Sequence, residues 1–191
     1  IRRRTLLAVA LVAILLAAVG VGASGERLFS PTVESRMEDG EYNVRIVSGD
    51  EIEYLNLAED EAYDKIEEQL GILALRLGYK PQGMELVKVS IGKDMGEAQM
   101  EFSCNGKILN IYMNKQNDLA TFGAQLDGSV VDVIETFYYD KKLDIIKVEG
   151  DKEHSFLAVR LEQGNAYYQM VSELNIDEFE MIVSEIFFRS E

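Results

Sequence analysis

Few residues in this chain have the type and spacing to perform chemistry. His154 is the single imidazole, next to Glu153 and close to Asp151 in a stretch that reads as a turn. A His–carboxylate pair of this kind can work as a general base. Cys104 is the single thiol, expected on an apolar face beside a hairpin tip, with Lys107 as the one neighbour that would lower its pKa. The ordinary readings are a surface imidazole and a half-buried, unreactive thiol. Carboxylates spaced for glycoside hydrolysis exist, but with 34 Asp and Glu their presence carries no information. Neither G-x-S-x-G nor a P-loop nor H-E-x-x-H occurs. One Cys and one His exclude an intrachain disulfide and a Cys/His zinc cluster. A calcium loop of the D-x-D-x-D-G type is also absent. The expectation is a non-enzymatic protein with no cofactor and no metal, and a hydrolase using His154 with Asp or Glu is the minor reading.

The aromatic residues offer a different kind of site. Phe137, Tyr138 and Tyr139 are consecutive, so in a strand at least one must point away from the core. Tyr167 and Tyr168 divide between the two faces of a strand in the same way. Tyr168 reads as a core residue. Tyr138, Tyr139 and Tyr167 are the candidate partner-binding surface, shaped for a peptide, a glycan or a lipid. The bland alternative makes them amphipathic edge residues or residues covered by a helix.

Something must position these groups, and the chain's charge and length bound what it is. Its 191 residues suit one ordinary domain with an appendage. At 47% hydrophobic and 28% charged it is neither disordered nor wholly a membrane bundle. A net charge of −15 argues against nucleic acid as a partner, since phosphate binding needs clustered Lys and Arg. Residues 34–68 alone hold 13 acids and three bases, which reads as a solvated face.

The N-terminal stretch is different. Residues 5–23 carry no charge, and as a helix they would reach roughly 28 Å, close to the hydrocarbon thickness of a bilayer. Arg2, Arg3 and Arg4 stand immediately before them as the positive flank of a membrane anchor that stays in the cytoplasm. The expectation is a single-pass membrane protein whose residues beyond 24 face outward. Cleavage of a signal peptide near Ala23, giving a secreted protein, is the alternative. The start at Ile1 rather than Met adds the expectation of residues further upstream. The domain plan is an anchor over 1–24, a juxtamembrane linker over 25–40 and an extracytoplasmic α+β domain over 41–191.

Within that domain the spacing of Ala62, Ile66, Leu70, Leu73 and Leu77 predicts a helix over 57–77, capped by Asn56 with Glu59 and stopped by Gly78 and Pro81. Asn175, Glu178 and the stripe Phe179, Ile182, Val183, Ile186 and Phe187 predict a second helix over 176–188. Strands lie between. Alternation through Ala98, Met100, Phe102 and Cys104 leads into Asn105-Gly106, a strong hairpin turn. Folding there pairs Phe102 with Leu109, Met100 with Ile111 and Ala98 with Met113. A second hairpin about Gly164-Asn165 pairs Leu161 with Tyr168, Val159 with Met170 and Arg160 with Gln169. Runs at 132–139 and 143–149 turn at 140–142, and 84–91 and 42–47 read as further strands. The class is α+β: an N-terminal transmembrane helix, then a helix, an antiparallel β-meander and a C-terminal helix packed on one sheet face.

Three stretches stand out together: Leu77-Gly78-Tyr79-Lys80-Pro81-Gln82-Gly83-Met84, the hairpin Asn105-Gly106-Lys107 with 108–113, and Tyr167-Tyr168-Gln169-Met170 running into 176–180 and 186–188. In this order they resemble a bacterial domain-of-unknown-function family common in Firmicutes on membrane-anchored extracytoplasmic proteins. The likeness covers roughly residues 60–190. It implies a cytoplasmic N-terminal part, one membrane span and this domain outside. Some members sit beside sigma-factor systems, which implies sensing or anti-sigma-like regulation. The family carries no assigned catalytic residues. The expected function is a membrane-anchored extracytoplasmic interaction or sensor domain whose partner is a protein or envelope ligand. A small-ligand or lipid-binding protein is the alternative, and it requires a sizeable apolar cavity.

Overall fold

The computed structural model describes the backbone of residues 32–38, 41–48, 51–55, 57–115, 128–149 and 155–189, and side chains within 52–148 and 155–189 of that set. Ten strands form one antiparallel sheet. They are β1 (Thr32–Glu38), β2 (Glu41–Ser48), β3 (Glu51–Leu55), β5 (Met84–Gly92), β6 (Glu97–Cys104), β7 (Lys107–Lys115), β8 (Gly128–Glu135), β9 (Lys142–Glu149), β10 (Ser155–Gln163) and β11 (Ala166–Ser172). Their order across the sheet is β1-β2-β3-β5-β6-β7-β11-β10-β9-β8. Helix α1 (Glu59–Leu70) enters between β3 and β5, and α2 (Ile176–Ser184) follows β11. Two short strands, β4 (Arg76–Leu77) and β12 (Ile186–Phe187), form a separate pair.

The hairpin registers follow from side-chain alternation. Phe102 lies opposite Leu109, Met100 opposite Ile111 and Ala98 opposite Met113. Leu161 lies opposite Tyr168, Val159 opposite Met170 and Arg160 opposite Gln169. A slip of one residue would turn each apolar set away from the core. The turns hold because Asn105 (φ 51°), Gly106 (φ 80°) and Gly164 (φ 60°) accept the left-handed conformation that a two-residue loop demands. Between the hairpins the topology departs from a simple meander. After β7 the chain resumes at the far edge as β8, then returns through β9 and β10 until β11 pairs with β7, Met113 against Tyr168 and Ile111 against Met170.

One face of the sheet is the core face. Val89, Ile91, Met100, Phe102, Leu109, Ile111, Met113, Val159, Tyr168 and Met170 pack in one cluster with Ala62, Ile66 and Leu70 of α1 and Phe179, Ile182 and Val183 of α2. Both helices therefore cover the same face, and each large side chain removed from water contributes about 1.5–3 kcal/mol. Tyr168 is 1% exposed, and its hydroxyl donates to the Leu73 carbonyl at 2.6 Å, so the buried polar tip has a partner.

Both helices are shorter than their apolar spacing suggests. Helix α1 stops at Leu70 because Gly71 adopts φ 65° and its N–H closes on the Glu67 carbonyl at 2.9 Å. Leu73 and Leu77, which fit the helical stripe, lie beyond it, and Leu77 belongs to β4. Ala58 is the N-cap residue and offers no side-chain cap; Asn56 lies outside the described residues. Helix α2 stops at Ser184 because Ile186 and Phe187 pair with Leu77 and Arg76 instead of continuing the turn. Its start is as the sequence indicates, with the Asn175 side chain accepting from the Glu178 N–H at 2.9 Å.

The strand expected over 132–139 ends at Glu135. Thr136 turns the chain, its N–H and hydroxyl both donating to the Lys141 carbonyl at 3.0 Å, and Asp140 takes φ 52°. Phe137, Tyr138 and Tyr139 are therefore turn residues and not alternating strand residues. Strand β1 lies within 25–40, and β3 adds a strand between 42–47 and the first helix.

Candidate functional site

The second face of the sheet carries a polar belt. Registers place Glu53 opposite Ser90, Ser90 opposite Gln99, Gln99 opposite Tyr112, Tyr112 opposite Gln169 and Gln169 opposite Arg160. One row of hydrogen-bonding side chains thus crosses six strands, with a carboxylate at one end and a guanidinium at the other. Each member occupies the strand position whose neighbours face the core, so the same alternation that builds the core builds the belt.

The belt is wired internally. The Tyr112 hydroxyl donates to Glu97 Oε2 at 2.5 Å and accepts from Asn114 Nδ2 at 3.0 Å. Gln99 Nε2 donates to Asn110 Oδ1 at 3.0 Å, and Arg160 Nε donates to Gln169 Oε1 at 3.3 Å. At the other end Lys88 and Glu53 form an ion pair, and the Ser90 hydroxyl donates to Glu53 Oε1 at 3.4 Å. The face is well shielded for one so polar: Asn110 is 2% exposed and Gln169 is 5% exposed. Burial pushes the Glu97 carboxyl up from the usual glutamate range, with the Tyr112 hydrogen bond opposing it. Burial also raises Glu101, Lys88 opposing and Glu53 adding to the rise. Burial holds the Tyr112 phenol well above its ordinary value, and the Glu97 charge adds to it. Among the described residues, Glu53 Oε2, Asn110 Nδ2 and Asn114 Oδ1 are buried on this face without a hydrogen-bond partner.

At the arginine end the belt opens into a pocket of about 350 Å³. Tyr112, Arg160, Glu162, Tyr167 and Gln169 line it, together with Leu161 and Tyr168. The volume lies near the lower end of small-molecule sites, roughly 300–1,000 Å³. Burial lowers the Arg160 pKa from its ordinary value, and a guanidinium stays charged in proteins, so the pocket holds a partly desolvated cation. The Tyr167 phenol is raised, first by its hydrogen bond with the Glu162 carboxylate and then by that group's charge. A cation, a carboxylate, two phenols and an amide converge here, which suits recognition of a polar group through directed hydrogen bonds. No nucleophile–base pair lies among these lining residues.

Of the three tyrosines singled out from sequence, the structure gathers two around Glu162. Tyr167 lines the pocket beside the Glu162 carboxylate. The Tyr139 hydroxyl donates to the Glu162 carbonyl, and Lys141 Nζ reaches the Tyr139 hydroxyl at 3.0 Å. The Tyr139 ring packs edge-on against Phe188 at 5.4 Å, so it braces the hairpin and does not face the pocket. Tyr138 lies apart, 67% exposed, with its ring 6.1 Å from Phe187. Arg2, Arg3, Arg4, the apolar segment 5–23 and His154 with Asp151 and Glu153 lie outside the described residues. Among the described residues no helix is long and apolar enough to cross a membrane. Cys104 is 1% exposed, burial raises its thiol pKa, and it accepts a contact from Asn105 Nδ2 at 3.7 Å.

Sequence reasoning missed Tyr112, Arg160, Glu162 and Gln169 as a group. The polar alternation on β6 and β7 was present to be read in Gln99, Glu101, Asn110, Tyr112 and Asn114. What it lacked was the β7–β11 pairing, which alone brings Tyr112 beside Gln169.

The part of this antiparallel α+β unit that runs from β4 through α2 has a counterpart among known sequence families. The chain belongs to the family described as domain of unknown function (DUF4367), whose family model matches residues 74–186. The match opens just before β4 and closes at Ile186, the first residue of β12, and these two strands pair, Leu77 against Ile186. The matched unit is thus fastened end to end and contains the whole pocket. No curated protein matches the chain.

Proposed function

We propose that this chain is a membrane-anchored extracytoplasmic binding module that senses a polar ligand, or a polar group of a partner protein, in the pocket between Tyr112, Arg160 and Tyr167. The observation that carries this reading is the convergence of Arg160, Glu162, Tyr112, Tyr167 and Gln169 on one cavity of about 350 Å³. The basic flank Arg2, Arg3 and Arg4 and the uncharged run 5–23 support the membrane orientation. In that setting the module is non-enzymatic and regulatory, in the manner of an anti-sigma-like sensor. Occupancy biases the span or the cytoplasmic segment through a difference in affinity between two states. Its partners are an envelope ligand or protein and the bilayer, and nucleic acid is not among them. The charged and hydrogen-bonding groups of Arg160, Glu162 and Gln169 in the lining favour this reading over a lipid carrier, which needs a cavity without such groups.

The test is a thermal titration of the full chain in detergent micelles with small carboxylates and amino sugars. A ligand at about a hundred times its Kd stabilises the fold by about 2.7 kcal/mol. The expected result is a concentration-dependent rise in Tm that Arg160→Ala abolishes. A flat response to every compound, together with no protein retained from envelope extracts under crosslinking, overturns the proposal.

A further inference from the structure

The pocket leaves one surface unused. Strand β8 is the outermost strand of the sheet, and among the described residues nothing pairs with its outer edge. From Gly128 to Val133 every residue is exposed, including Val130 at 56%, Val131 at 42% and Val133 at 49%. The other large apolar side chains exposed among the described residues are Phe137 and Tyr138, in the turn after β8, and Ile176 and Met181 on α2. Helix α2 packs on β8, and the Phe137 N–H donates to the Ser184 carbonyl at 2.8 Å, so these elements are neighbours. Exposed apolar residues scattered singly need no explanation, but their concentration along one open strand edge marks an interaction site.

We propose that the outer edge of β8 accepts an extended segment of a partner protein as an added strand, and that this segment alternates apolar and basic residues. The register sets the alternation. Asp132 lies opposite Ile145 and Ile134 opposite Leu143, so Asp132 is on the core face, beside α2. Val130 lies opposite Ile146 and Val133 opposite Asp144, so both valines are on the second face. Side chains of an added strand meet same-face neighbours of β8. On one face they meet Val130 and Val133, and on the other they meet Asp132 with Glu180 and Asp177 of α2. Those acids are crowded: burial, then the hydrogen bond and charge of Asp132, then Asp177 raise the Glu180 carboxyl. A Lys or Arg placed there relieves the repulsion. Among the described side chains of β8 and β9 the charged groups of this face are Asp132 and Lys147, the latter opposite Ser129 and Leu157, whereas the Glu135–Lys142 ion pair, with an N–O distance of 2.7 Å, lies on the second face with Val133 and Asp144.

The same charges disfavour a second copy as occupant. Two chains of net charge −15 would bring Asp132 and its neighbours toward their own like. The inference is independent of the pocket, because it rests on a different edge and different residues.

The test uses the full chain in detergent micelles and two labelled probe peptides of about seven residues, a usual strand length. One alternates Val with Lys, and the other alternates Val with Glu. The expected result is binding of the Lys peptide, at least tenfold weaker binding of the Glu peptide, and slowed amide exchange confined to residues 128–135. Val133→Lys and Asp132→Lys should each weaken the Lys peptide about tenfold while circular dichroism stays unchanged. If a variant loses its fold, the exchange map of the wild-type chain decides. Absence of binding, equal binding of both peptides, or protection elsewhere overturns the proposal. So does concentration-dependent dimerisation that Val133→Lys abolishes, which would assign the edge to a second copy.

Discussion

At the scale of single residues, burial on the second face has a consequence for pH dependence. The folded pKa of Glu97 is raised by burial. The native state therefore keeps this proton at pH values where the unfolded chain has released it. Stability falls as pH rises from the ordinary glutamate range through the raised folded value, and the penalty persists at neutral pH. Glu97→Gln keeps an acceptor for the Tyr112 hydroxyl and removes the charge. Urea unfolding should show the variant gaining on the wild type as pH increases from mildly acidic to neutral, with the gap closing in acid. A residue-scale test of the turn is Gly106→Ala. Gly106 has φ 80° and nothing within 4 Å of an added Cβ, so backbone conformation alone sets the cost. The expected loss is about 1–2 kcal/mol in the unfolding free energy.

At the scale of elements, the β4–β12 pair is where close approach matters most. A Cβ on Gly78 would lie 2.4 Å from the Glu185 carbonyl oxygen, and the Gly78 N–H donates to that same oxygen at 2.9 Å. Because the obstacle is backbone, Gly78→Ala must push the two strands apart. A loss of about 1–3 kcal/mol is expected, with faster amide exchange at Leu77 and Phe187. Helix α2 depends on its cap, so Asn175→Ala should cost about 1 kcal/mol in urea unfolding. These elements also show what local sequence can and cannot convey. Hairpin registers were legible because Asn105-Gly106 and Gly164-Asn165 fix the fold-back and the apolar alternation admits one pairing. The α2 cap was legible for the same local reason. The helix ends were not: Leu73, Leu77, Ile186 and Phe187 continue a helical stripe, yet the pairing of β4 with β12, more than a hundred residues apart in the chain, draws them into extended backbone. The pocket was half legible. Tyr167 was readable as a surface aromatic, while Tyr112 joins it only through the β7–β11 pairing.

At the scale of the whole molecule, the two sheet faces divide the work. One face, closed by α1 and α2, holds the larger core, and the other holds a second apolar cluster of Ile108, Phe156, Ala158 and Val171 beside the belt and the pocket. The β8 edge extends the surface without disturbing either. This division makes the proposed sensing role compatible with the acidic character of the chain: in the proposed orientation the acids beyond residue 24 would hold the domain off anionic lipid, while Arg160 supplies a local cation inside the pocket. The orientation itself is the claim on which the sensing role depends. It can be measured with a single cysteine introduced at Asn165, an exposed hairpin-tip residue, since the native Cys104 is buried. Intact cells expressing Asn165→Cys are treated with a membrane-impermeant maleimide. A domain that faces outward on a membrane anchor is labelled in intact cells and sediments with the membranes. Labelling that occurs only after lysis, with the chain recovered in the soluble fraction, would contradict this orientation.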